Sequence, residues 1–203
     1  MPASRTLTLE MTAEGAVRVG EAASLAEASA ALPDGAYTTL RTYGGRGIVR
    51  LEAHLGRLEQ STRALGGPVA LDRDASRRLL AAAQDATRHP ESRHRHTLAP
   101  PRSFESIEAF TPLPHTIYEV GVACITLPRL HRDQPHVKDT HFIATAREAY
   151  RDLPQGVAEG LLVAGDGSIL EGLTSNFFAV RDGTLYTEGE RVLPGITRAL
   201  VLE

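Results

Sequence analysis

The 203-residue chain has one cysteine, no tryptophan, a single lysine among its 22 basic residues and no long apolar run. One thiol cannot close an intrachain disulfide, which suits a reducing compartment. Cys124 lies in the apolar stretch from Val120 to Leu127, so a buried, unreactive thiol is expected. No stretch approaches the roughly 20 apolar residues of a membrane helix, and Met1 to Glu14 holds no signal-peptide core. A soluble, cytoplasmic protein with no membrane partner is therefore expected. Acidic residues nearly balance basic ones, 25 against 22, and the arginines are scattered, so no nucleic-acid partner is expected. What remains, 42% hydrophobic and 23% charged, is a globular composition that excludes a disordered or collagen-like chain.

Ala36 to Tyr43 is rich in β-branched and aromatic residues, and Gly44-Gly45-Arg46-Gly47 turns the chain toward Ile48-Val49, which predicts a hairpin. From Leu51 the spacing becomes helical through Leu55, Leu58, Thr62 and Leu65, with His54, Arg57 and Ser61 on a neighbouring stripe. Gly66-Gly67-Pro68 stops that helix. A second helix is predicted over 74–88 with Leu79 and Ala86 on one side. His89 to Arg102 is polar and Pro-containing, and reads as loop around a short strand near His96 to Leu98. His94 and His96 would share one side of such a strand, but they read as a solvated basic loop rather than as metal ligands, since no further ligands stand at structural spacing.

Thr111-Pro-Leu-Pro114 reads as a linker, dividing the chain into a small N-terminal lobe (1–112) and a β-rich C-terminal lobe (113–203). A buried strand is predicted over 120–127. Lys138 then precedes Asp139-Thr140, which can cap a helix carrying Phe142, Ala146, Ala149 and Leu153 on one face. Two hairpins are predicted around Gly165-Asp166-Gly167 and Arg181-Asp182-Gly183, since Asp-Gly between apolar runs is a strong turn signal. The Gly44-Gly45-Arg46-Gly47 run lacks the strand-to-helix context of a phosphate loop.

The most distinctive segments are Glu171-Gly-Leu-Thr-Ser-Asn176-Phe-Phe and Leu193-Pro-Gly-Ile-Thr-Arg198. With Arg41, His54-Leu-Gly-Arg57-Leu and Val-Lys138-Asp-Thr-His-Phe, they occur in the order found in class IV pyridoxal-phosphate enzymes. The chain resembles that family, which includes branched-chain and D-amino-acid aminotransferases and 4-amino-4-deoxychorismate lyase. The resemblance runs from about Gly35 to the last residue. It implies an α+β, two-lobed fold of type IV, pyridoxal 5'-phosphate (PLP) as cofactor, amino acid and 2-oxo acid substrates, and a homodimer. Relatives continue well beyond the Gly195-Ile-Thr-Arg198 motif, so the C-terminal lobe is expected to be incomplete.

A carbonyl cofactor needs an amine that can form a Schiff base, and Lys138 is the only side chain able to supply it. The expectation is transamination through a Lys138 aldimine, with the amine made nucleophilic by burial or by nearby cations such as Arg129, Arg132 or His136. Alone, Lys138 would read as a surface residue kept for solubility. The resemblance gives Glu171 the pairing with the cofactor's pyridine nitrogen, which keeps the ring an electron sink. Arg57 would bind phosphate with its forked donors, joined by the backbone of Ile196 and Thr197 at a helix start. Asn176 belongs to the same cofactor-binding pattern and Leu193 would pack on the ring. Without the resemblance Glu171 would be an exposed turn carboxylate, Arg57 solvated surface and Leu193 core.

Tyr37, Thr38 and Arg41, with Thr174 and Ser175, match positions that face substrate. The Thr38-Thr39 pair is like the lyases, whereas Glu171 to Asn176 is like D-amino-acid aminotransferases. Phe142 stands near a Tyr that branched-chain enzymes use to hold the cofactor's ring hydroxyl, a bond Phe cannot make. Two alternatives to transamination stay open: pyruvate elimination from an aminodeoxychorismate-like substrate, and a binding protein that keeps the fold without catalysis.

Overall fold

A computed structural model of the chain describes residues 5–67 and 70–203; the helix stop assigned to Pro68 lies outside them. The chain divides into two compact units. The first comprises Met1–Thr111 with Lys138–Ile143, the second Pro112–Val137 with Ala144–Glu203.

The first unit is a six-stranded antiparallel sheet in the order β2-β1-β6-β5-β3-β4. Its strands are β1 (Thr6–Thr12), β2 (Gly15–Ala22), β3 (Ala36–Tyr43), β4 (Gly47–Ile48), β5 (Ser92–Ala99) and β6 (Arg102–Ala109). Three helices accompany it: α1 (Leu25–Ala30), α2 (Leu51–Ala64) and α3 (Arg73–Thr87). Ser24 caps α1 by accepting from the Glu27 amide, and Asp72 caps α3 by accepting from that of Ala75, each satisfying a first-turn donor that the helix cannot. Leu79 and Ala83 of α3 pack on Leu7, Leu9 and Ile107 of the sheet, while Leu58 of α2 packs on Ala36 and Leu98. Strand alternation puts these apolar residues on one face.

Several expectations change here. Residues 92–99 are not loop around a short strand but a full strand at the centre of the sheet, paired with β3 and β6 along its length. His94 and His96 are consequently buried rather than solvated, and they do share one side. Their burial is tolerated because the carboxylate of Glu105, itself fully buried, accepts from His94 Nδ1 at 2.9 Å and His96 Nδ1 at 2.8 Å. Among the described residues no cluster of three or more His, Cys, Asp or Glu side chains is arranged to hold a metal. On α3 the buried residues are Ser76, Leu79, Leu80, Ala83 and Gln84. Ala86 is exposed, on the last turn just before Arg88 ends the helix in a left-handed conformation.

The second unit contains α4 (Thr116–Val120), β7 (Ala123–Leu127), α5 (His141–Arg151, which begins in the first unit), β8 (Val157–Val163), β9 (Ile169–Gly172), β10 (Ala179–Arg181), β11 (Thr184–Tyr186) and α6 (Ile196–Leu202). β7 and β8 are parallel and β8 and β9 antiparallel, giving a three-stranded sheet. The chain passes from β7 to β8 through α5, as a parallel pair requires. β10 and β11 form the predicted second hairpin, and its two turn residues, Asp182 and Gly183, both have positive φ, 51° and 73°. That is the backbone a two-residue type I′ turn needs. The strand predicted over 120–127 starts instead at Ala123, because Val120 ends α4 and Gly121, at φ 75°, turns the chain. Cys124 is exposed, not buried: β7 is the edge strand of its sheet, with a neighbour on one side only. Among the described residues no helix is long and apolar enough to cross a membrane.

Candidate active site

Lys138 is fixed to the first unit through its backbone. Its carbonyl accepts from the Tyr37 amide at 2.9 Å and its own N–H donates to Ser61 Oγ of α2 at 3.0 Å. The next residues are tied to the start of β3, where Thr140 N–H donates to Gly35 O and Gly35 N–H to Thr140 Oγ1. Asp139 Oδ1 accepts from the Phe142 amide at 3.1 Å, closing the first turn of α5 as expected. The half-buried Lys138 side chain sets its Nζ 4.6 Å from the centre of the Tyr37 ring, a cation on an aromatic face. The Arg95 guanidinium carbon lies 5.1 Å from that ring.

Arg57 and His54, one helical turn apart on α2, both reach the Thr38 hydroxyl, at 3.1 Å from Nη2 and 2.9 Å from Nδ1 respectively. Arg57 and Thr38 are buried. Burial, followed by the positive charges of Arg57 and Lys138, pushes the His54 pKa down to about 4, so its ring is neutral at physiological pH. The two charges acting on His54, those of Arg57 and Lys138, are both cationic.

The three residues matched to substrate-facing positions on β3 are not brought together. Alternation sends Thr38 to the face covered by α2 and α3, and Tyr37 and Arg41 to the other. Arg41 is engaged: its Nη2 donates to Glu91 at 2.6 Å, and its guanidinium carbon lies 3.6 Å from the centre of the Phe110 ring and 4.4 Å from that of Tyr43.

In the second unit Glu171 is a buried carboxylate rather than an exposed turn residue. It accepts from Arg132 Nε at 3.1 Å, from the Leu193 amide at 3.2 Å and from Asn176 Nδ2 at 3.5 Å. The Arg132 and Glu171 side chains are 5% and 4% exposed, so this is a desolvated ion pair. Asn176 also donates to the Leu193 carbonyl at 2.9 Å. A Cβ on Gly195 would stand 2.0 Å from Asn176 Oδ1, so the close approach of this side chain requires glycine there. Gly195 leads into α6, whose first residues are Ile196 and Thr197. Glu171, Asn176, Leu193 and the start of α6 therefore belong to one hydrogen-bonded and packed arrangement within this unit.

Thr174 and Ser175 turn to a different group. Thr174 Oγ1 is 3.0 Å from Tyr150 OH, and Ser175 Oγ donates to Glu159 at 3.3 Å. Tyr150 OH also donates to Glu159, at 2.9 Å; burial first, then the Glu159 carboxylate, push the Tyr150 pKa up to about 12.

Arg132 has a different part from the one expected: it pairs with Glu171, while Arg129 and His136 are exposed. No spacing rule joins positions 132 and 171. The one usable signal was chemical, in that a carboxylate predicted to work buried needs a cation or several N–H donors beside it. Glu91, Glu105, Tyr150 and Glu159 were likewise unmarked in the sequence.

The first unit thus sets the Lys138 amine near His54 and Arg57, and the second holds Glu171 as a buried carboxylate paired with Arg132. Residues 35–203 match the sequence model of the amino-transferase class IV family, and the chain belongs to that family. A solved structure provisionally described as a 4-amino-4-deoxychorismate lyase is 34% identical, with a TM-score of 0.71 over 82% of this chain and 68% of that one. The 4-amino-4-deoxychorismate lyase from Pseudomonas aeruginosa is 28% identical, with a TM-score of 0.60 over 83% and 68%. A hypothetical aminotransferase from Mycobacterium tuberculosis, solved in a PLP-bound form, is 26% identical, with a TM-score of 0.66 over 96% and 76%. The α+β architecture is thus that of fold type IV. No curated protein matches the chain.

Proposed function

We propose that the protein is a PLP-dependent transaminase that moves an amino group between an amino acid and a 2-oxo acid. The observation that carries this reading is the setting of Lys138, the only lysine. Its amine is half-buried on Tyr37, and its charge acts on His54 together with that of Arg57. Such a cationic pocket, with a forked donor at Arg57, suits a phosphate dianion. A carbonyl cofactor in turn suits a lone amine.

Arg57 would hold the phosphate, with the amides of Ile196 and Thr197 as further donors. Leu193 would pack on the ring, while Glu171, which accepts from Arg132, Asn176 and the Leu193 amide, would pair with the ring N–H. When bound, the cofactor supplies an electron sink for the pair left behind as the substrate's α-proton departs. Lys138 Nζ is the base that takes that proton and returns it. Tyr37 bounds the space beside Lys138 and is the best-supported substrate residue. Thr38 would act through Arg57, Arg41 would meet substrate only by releasing Glu91, and Thr174 and Ser175 would shape the site through Glu159 and Tyr150. A homodimer and a cytoplasmic location belong to the same reading.

A second reading is pyruvate elimination, favoured by the 34% identity to the structure provisionally described as a lyase. Borohydride reduction of the PLP-treated chain, followed by peptide mass spectrometry, is expected to leave one pyridoxyl group, on Lys138. A tag on another residue, or none, refutes the assignment. Amination of 2-oxo acids by the loaded protein supports transamination; pyruvate release from aminodeoxychorismate without any such exchange supports the lyase.

A further inference from the structure

We propose that Thr38 and His54 are positioning residues that fix the Arg57 guanidinium for phosphate; this rests on the reading of Arg57 given above. The argument begins with proton counting at one buried atom. Thr38 is fully buried in β3, and its Oγ1 lies within hydrogen-bond distance of Arg57 Nη2 and His54 Nδ1. A guanidinium can only donate, so Oγ1 accepts from Arg57. The hydroxyl proton of this buried group finds an acceptor where His54 Nδ1, 2.9 Å away, presents a lone pair. His54 accordingly carries its own proton on Nε2.

This arrangement requires a neutral imidazole, and the environment supplies one. Burial and the charges of Arg57 and Lys138 both oppose protonation. His96, which lies opposite Thr38 in the strand register, does not compete for the hydroxyl, since its ring nitrogens face Glu105 and Ser103. The chain of orientation therefore runs from the sheet to the Thr38 rotamer, and from there to both α2 side chains.

A hydroxyl at this position does what a carboxylate could not. It orients the fork of Arg57 without adding a negative charge of its own beside the guanidinium. An Arg side chain has several rotatable bonds, and fixing them before the ligand arrives lowers the ordering cost of binding.

The test compares PLP with pyridoxal, which has the same ring and aldehyde but no phosphate. Affinities of the full-length apo-protein are measured by absorbance titration for wild type, Thr38→Val, Thr38→Ser and Arg57→Met. Thr38→Val is expected to weaken PLP about tenfold while leaving pyridoxal unchanged, and Thr38→Ser should restore PLP to near the wild-type value. Unaltered PLP binding by Thr38→Val, or an equal loss for both ligands, overturns the positioning role. If Arg57→Met binds PLP as wild type does, the assignment of Arg57 fails instead. Should Thr38→Val not fold, His54→Phe carries the same comparison. A loss confined to PLP supports the proposal, and no loss, or a loss shared with pyridoxal, overturns it.

Discussion

Glu105 lies wholly inside the first sheet, and replacing it tests whether the buried histidines depend on its carboxylate. Gln84 Nε2 donates to the His89 carbonyl at 2.9 Å, which fixes the amide so that Oε1 faces His94 Nε2 at 3.1 Å. His94 therefore faces oxygen atoms from both ring nitrogens, Glu105 at Nδ1 and Gln84 at Nε2. His96 faces Glu105 from Nδ1 and Ser103, whose Oγ is 3.4 Å from its Nε2. Burial alone would raise the Glu105 pKa, but the hydrogen bonds from His94 and His96 outweigh it and hold the carboxyl below its ordinary value. Its contribution is then present above the unfolded carboxyl pKa and is lost as pH falls through the lower folded value. Glu105→Ala leaves two buried ring nitrogens without their acceptor and should cost about 1–3 kcal/mol for each. Glu105→Gln keeps the volume but not the charge, and should cost about 1–3 kcal/mol. Because the chain has two units, the loss is read by native-state hydrogen exchange of β5 and β6 amides rather than from one global melt. Both variants losing less than about 0.5 kcal/mol, a change typical of an unremarkable surface site, would refute the dependence on this carboxylate.

Two further perturbations follow from the site. The folded His54 pKa, about 4, lies below the ordinary value near 6.5, so on acidification the unfolded chain takes up that proton first. Stability falls as pH drops from 6.5 toward 4, by about 3 kcal/mol in full. Urea titrations across that window should show a shallower slope for His54→Gln, and an unchanged slope would refute the cause. Arg132→Met strands the Glu171 carboxylate in a buried setting and should cost about 3–5 kcal/mol, read from exchange of β9 amides. A loss below about 1 kcal/mol would mean that the Leu193 and Asn176 donors suffice.

The parts of the fold legible in the sequence are those where local chemistry and tertiary packing agree. β3 is written in β-branched and aromatic residues, α2 in its leucine spacing, and the β10–β11 turn in Asp182-Gly183. β5 escaped because residues 92–99 carry arginine on one parity and histidine on the other, so no apolar period marks them. Its buried face is made acceptable by Glu105 on the next strand and Gln84 on a helix, which no local window contains. Cys124 failed for the opposite reason. Its neighbours are apolar, but the strand lies at a sheet edge, and burial depends on position in the sheet rather than on composition. Lys138 was legible by scarcity and Glu171 by motif. The Glu91 clamp on Arg41 and the Arg132 partner of Glu171 were not, since both pairings link distant segments through geometry alone.

Two polar networks share the face of the first sheet covered by α2 and α3, and they differ in the groups that orient them. Around Glu105 the carboxylate meets both histidine rings, and Gln84, Ser92 and Ser103 take up the remaining ring and amide atoms. That network is complete within the protein, so its role is structural. Around Thr38 the orienting groups are a hydroxyl and a neutral imidazole, and the charges that act on them, Arg57 and Lys138, are both positive. A hydroxyl and a neutral ring orient the Arg57 fork without setting a carboxylate of their own against it, an arrangement that suits a side chain proposed to meet the phosphate of a carbonyl compound.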